Sequence, residues 1–114
     1  MDTPEPTTFI NVFEIDEAEI DTFIDRWKQR SHRIAGAPGF ISAELHRATD
    51  GDTRFRLINV TRWRSRADHE AATTEATYRA ELDAYGQAPA TTWTPNRGFY
   101  RTAVALAPTI GDEP

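Results

Sequence analysis

With 114 residues, 39% of them hydrophobic and 27% charged, the chain has the length and composition of one globular domain. A formal net charge of −5 leaves no basic footprint for general nucleic-acid binding, and the absence of cysteine excludes disulfides, thiolate nucleophiles, iron–sulfur clusters and cysteine–zinc sites. No apolar run approaches the roughly 20 residues of a membrane span, and the acidic, proline-containing start does not read as a signal peptide, so a cytoplasmic protein is expected.

Residues 1–7 and 107–114 read as tails around a single domain over 8–106, without repeats or low-complexity linkers. Residues 8–15 (TFINVFEI) are β-branched and aromatic and predict a first strand. Asp16, with Glu19 three residues on, predicts a variant capping box. From there Ile20, Phe23, Ile24, Trp27, Ser31 and Ile34 recur at helical spacing, and Gly36 and Pro38-Gly39 mark the stop and the turn. Residues 40–47 (FISAELHR) predict a second strand. The Asp/Gly-rich stretch 49–53 predicts a hairpin turn, and 54–63 (RFRLINVTRW) a third strand. Ser65 is placed to cap a second helix running to about Tyr85, whose apolar content is mostly alanine with Tyr78, Leu82 and Tyr85. A loop with Pro89 and Pro95 follows, then a last strand over 98–106.

The order β-α-β-β-α-β is the ferredoxin-like split βαβ arrangement of an α+β domain. Two helices cover only one face of its four-stranded sheet. Phe9, Asn11, Phe13 and Ile15 alternate with Ile10 and Val12 on the first strand, and Phe55, Leu57, Asn59, Thr61 and Trp63 with Ile58 and Val60 on the third. Both faces therefore carry apolar residues and both need cover. A second copy of the sheet is the simplest cover for the open face, so a homodimer is expected. Arg54, Arg56, Arg62 and Arg64 flank Ile58 and Val60 and are expected to rim that interface and pair with carboxylates.

Asn11 and Asn59 stand out, because asparagine is depleted in strands and a buried amide without partners is costly. A lone strand asparagine is ordinarily satisfied by backbone or water. Two on neighbouring strands point instead to a shared polar site within an apolar pocket, the usual form of a small-molecule site. Trp63, four residues after Asn59, falls on the same strand face, either as a core residue or as a flat wall for an aromatic ligand. None of His32, His46 and His69 sits in a metal-ligand motif. His69, in the first turns of the second helix, is the one placed to point down over the sheet.

These residues resemble the antibiotic biosynthesis monooxygenase family, whose members form dimeric ferredoxin-like α/β barrels. The likeness lies in FINVF at 9–13, APGFISAELHR at 37–47 and INVTRWRS at 58–65, and is closest to the cofactor-free anthrone oxygenases of aromatic polyketide pathways. It implies a homodimeric enzyme, needing no cofactor or metal, that oxidises an anthrone-type polyphenol with O₂ to a quinone. The matching positions imply Asn11, Asn59 and Trp63 as catalytic residues. His69 stands where a relative has tyrosine and is expected to move a proton. Phe13, Phe23, Trp27, Leu57 and Tyr78 are expected to line the apolar walls. The chain departs from its relatives at Asp83, where an arginine follows a matching AEL. Three rival readings remain. One is a haem-binding or haem-degrading enzyme, against which stands the lack of tryptophan and histidine over 71–81. The others are a polyketide cyclase and a non-catalytic ligand-binding domain.

Overall fold

A computed structural model describes residues 5–74 and 93–109, with Trp93 described in its backbone alone. The elements are β1 (Thr7–Ile15), a 3₁₀ turn (Glu17–Glu19), α1 (Ile20–Ile34), β2 (Phe40–Arg47), β3 (Leu57–Trp63), α2 (Arg66–Thr73) and β4 (Trp93–Tyr100). They form one antiparallel sheet in the order β2-β3-β1-β4 with two helices, the ferredoxin-like α+β arrangement the element order predicts. None of the described helices is long and apolar enough to cross a membrane.

The core follows from two periodicities. Positions 20, 23, 24 and 27 put one apolar stripe on α1, and positions 13 and 15 of β1 and 57 of β3 put alternate side chains on the facing sheet surface. Ile20, Phe23 and Leu57 are buried almost completely, with Phe13 and Ile15 beside them. The Phe13 and Phe23 rings meet edge to face, 4.7 Å between centroids. Each such buried side chain stabilises the fold by about 1.5–3 kcal/mol.

Three details differ from the sequence expectation. The Asp16 carboxylate makes no capping hydrogen bond. The chain instead enters α1 through the 3₁₀ turn, in which the Glu19 N–H donates to the Asp16 carbonyl at 2.9 Å. Glu17 is thereby left to accept from Arg47 and Arg56, tying the turn to the β2–β3 hairpin. Residues 54–56 continue the hairpin loop rather than start β3. Asp50 folds that loop on itself, accepting from Asp52 N–H, Thr53 N–H and Thr53 O–H at 2.9–3.0 Å. β4 begins earlier and ends earlier than expected, and includes Pro95. As an edge strand paired only with β1, it loses nothing by the missing N–H. Beyond Tyr100 the chain leaves the sheet, and Val104 and Leu106 stand 77% and 93% exposed.

At the start of α2 the cap is as expected. Ser65 Oγ accepts from the Asp68 N–H at 3.2 Å and donates to the Asp68 carboxylate at 3.0 Å, while Arg64 holds the same carboxylate. Ion pairs to carboxylates also engage Arg54 and Arg56. The part of the predicted second helix beyond Thr74, with Tyr78 and Asp83, lies outside the described residues.

Candidate active site

A cavity of about 480 Å³ opens between the helices and the sheet. β1 and β3 form its floor. Asn11 and Asn59 are direct partners in the β1–β3 register, and Phe9 and Thr61 are the next pair on the same face. Side chains directly opposite on adjacent antiparallel strands lie about 4.5–5.5 Å apart at Cβ, so the two amides form one unit. Trp27, Ser31 and Ile34, at helical spacing on α1, form one wall, with Arg30 beside them. Arg66, His69 and Thr73 of α2, and Arg97 and Phe99 of β4, form the other.

The amides are oriented by their neighbours. Trp27 Nε1 donates to Asn59 Oδ1 at 2.9 Å. The backbone N–H of Asn96 donates to Asn11 Oδ1 at 3.0 Å. Each carbonyl oxygen therefore faces a donor that cannot accept, which sets the amide flip. No hydrogen bond from either side-chain NH₂ group occurs among the described residues, so both remain as donors on a partly apolar floor.

His69 is held by aromatic rings. Phe9 lies at 4.6 Å between centroids, Phe99 at 5.0 Å and Trp63 at 5.4 Å, the last two edge to face. Its Nδ1 is buried and has no hydrogen-bond partner among the described residues. Burial pushes the imidazole below the ordinary histidine range. Glu70 opposes that shift, and the Arg66 guanidinium adds to it. The ring is accordingly neutral at neutral pH and able to accept a proton.

The structure thus brings Asn11, Asn59, His69, Phe13 and Trp27 together around one cavity. Three other residues singled out in the sequence are placed elsewhere. Trp63 is 0% exposed and lies behind the cavity rather than in its lining; its indole N–H donates to Thr61 Oγ1 at 3.0 Å, and its ring supports His69 and Phe40. Phe23 is in the core against Phe13, and Leu57 lies on the other flank of Trp27. Tyr78 lies outside the described residues. His32 and His46 are exposed, with His46 Nε2 3.1 Å from Glu44. Arg30, Arg66, Arg97, Thr61 and Phe99 were not singled out. The spacing of Arg30 from Trp27 was readable as one helical face, whereas Arg97 depended on the β4 register, which the misplaced last strand hid.

Comparison with known proteins agrees with this fold. A proposed monooxygenase from Shewanella loihica is 28% identical, with a TM-score of 0.69 over 89% of this chain and 97% of its own. SnoaB from Streptomyces nogalater, a cofactor-independent oxygenase, is 20% identical with a TM-score of 0.73, covering 90% and 97% of the two chains. A variant of MhuD, solved with two manganese protoporphyrin IX molecules per active site, is 20% identical with a TM-score of 0.67, covering 90% and 99%. At these two lower identities the likeness is one of fold. No curated protein matches the sequence. The antibiotic biosynthesis monooxygenase model matches residues 6–83, more than half the chain, and the protein therefore belongs to that family.

Proposed function

We propose that this protein is a cofactor-free monooxygenase that oxidises an anthrone-type polyphenol with O₂ to a quinone. One observation carries the reading: both floor amides have their carbonyl oxygens occupied by protein donors, leaving paired NH₂ donors beside a neutral histidine. Such an arrangement suits a substrate that becomes an oxyanion. His69 takes the acidic C–H proton of the anthrone, and Asn11 and Asn59 stabilise the enolate oxygen that forms. The electron-rich enolate passes one electron to O₂. The radical pair recombines to a peroxide, and loss of water yields the quinone, so CH₂ and O₂ become C=O and H₂O. The substrate itself supplies the electrons. The protein supplies orientation and exclusion of water by Phe13 and Trp27. Trp63 acts as a positioning residue, backing His69 and orienting Thr61.

The test is oxygen consumption with a dihydroxyanthrone, corrected for its spontaneous oxidation. Asn11→Ala and Asn59→Ala are each expected to lower kcat by about a hundredfold or more. Undiminished turnover in both overturns the assignment. A cyclase turns over without consuming O₂. A haem enzyme shifts the Soret band on titration with haemin. For a non-catalytic domain, the same substitutions lower stability and remove no turnover.

We also propose that two copies pair through the open sheet face. Ile10, Val12, Ile58 and Val60 lie at its centre on the two middle strands, away from α1. The exposed Ile41, and Val104 and Leu106 beyond β4, add apolar surface outside the single-chain core.

A further inference from the structure

The β4–α2 wall of the cavity has a chemistry that the proposed oxidation does not use. Arg97 and Phe99, two residues apart, share one face of β4, and Arg97 is the register partner of Asn11. The Arg66 guanidinium stacks on the Phe99 ring at 4.0 Å from its centroid. All these residues line the cavity, Arg30 lines it too, and no described lining residue is acidic. Arg66 and Arg97 pair with no carboxylate among the described residues, although the chain has 18 acidic side chains against 13 basic ones. Composition therefore does not account for a cationic wall here. Stacking fixes the plane of Arg66 while leaving its N–H groups available, and a guanidinium fork matches a carboxylate in bidentate fashion.

We propose that the ligand of this cavity is a flat aromatic acid whose carboxylate is held by Arg66 and Arg97, with its reacting oxygen on the Asn11 and Asn59 amides. This deepens the functional reading above and rests on the same cavity, but it is a statement about binding and is read without turnover. The two arginines are then specificity-determining residues. They select the charged member of a ligand pair and set which end of the ring system lies over the amides.

The experiment uses redox-inert probes. Trp27 lines the cavity, so quenching of tryptophan fluorescence reports occupancy. A dihydroxyanthraquinone and its monocarboxylic acid are titrated against the wild type, Arg66→Gln, Arg97→Gln and the double variant. Both arginines are exposed, so their replacement spares the core. The acid is expected to bind at least about tenfold more tightly than the neutral quinone, with the preference falling to near unity in the double variant. Arg54→Gln, which removes the same charge at the hairpin, is expected to leave the preference intact. Equal binding of acid and neutral quinone, failure of the acid to bind, or a preference that survives the double variant or is lost in Arg54→Gln overturns the proposal. A second arm compares haemin with its dimethyl ester. Tighter binding of haemin than of the quinone acid, with the same arginine dependence, supports the carboxylate site and overturns the anthrone reading. An arginine-dependent acid preference without oxygen consumption supports the site and removes the oxygenase activity.

Discussion

Asn59 accepts from an indole on α1, and Asn11 accepts from the β4 backbone, so elements on two sides of the cavity set the direction of two side chains. An amide aimed in this way is pre-organised, which is where most of its value to an oxyanion comes from. His69 supplies a second residue-scale consequence. Burial holds its pKa below that of a free histidine, with Arg66 acting in the same direction. The unfolded chain, titrating near about pH 6.5, binds a proton that the folded chain refuses. The associated stability is fully present above the unfolded value and is lost as pH falls through the lower folded value. The melting temperature of the wild type is expected to drop on going from about pH 7 to pH 5, and that of His69→Gln to drop less. Equal slopes in the two proteins count against a buried, neutral His69. The acid limb of kcat/KM is expected to lie below the ordinary histidine range for the same reason. That the two asparagines share one face of neighbouring strands was legible in the sequence, because alternate strand residues point the same way. Their partners were not, because Trp27 and Asn59 are 32 residues apart and Asn11 and Asn96 are 85 apart.

At the scale of elements, the junction between β2 and α2 keeps the cavity wall in place. Gly39 has φ +84°, and a Cβ there would overlap the Asp68 side chain. Asp68 is in turn the partner of Ser65 and Arg64 at the helix start, and the Arg64 N–H donates to the Gly39 carbonyl at 2.7 Å. Gly39→Ala therefore meets both a backbone conformation that L-residues avoid and a filled space. It is expected to cost about 1–3 kcal/mol in denaturant unfolding. Adding Asp68→Ala is expected to recover the steric part only. A neutral Gly39→Ala excludes this role for the junction. The Pro-Gly turn and the Ser65 cap were readable from residue type. The limits of β4 were not. AVAL looks like strand by composition, yet the ladder runs from Trp93 to Tyr100 because β1 ends and pairing ends with it.

At the scale of the whole molecule, the sheet buries one face under α1, and among the described residues no helix covers the other. Val60 and Ile58 on that face meet Ile10 and Val12 across the β1–β3 register. Val60→Lys places a charge at the centre of the proposed contact, where leaving it unpaired and dry is costly. Light scattering is expected to give a dimer for the wild type and a monomer for this variant, with the helix-side cavity unaltered. A wild-type monomer at tens of micromolar removes the proposal.

Residue type and spacing alone determined the element order, the stripe of α1, the cap at Ser65, and the alternation that put Asn11, Asn59 and Phe13 on one face. These are local properties, set by dihedral preferences and by periods of 3.6 and 2. Only the tertiary structure decided that Trp63 stands behind the site rather than in it, that Trp27 aims Asn59, and that Arg66 and Arg97 meet at one wall. Those are matters of register and of helix placement over the sheet, which depend on packing between segments far apart in the chain and leave no mark in any one of them.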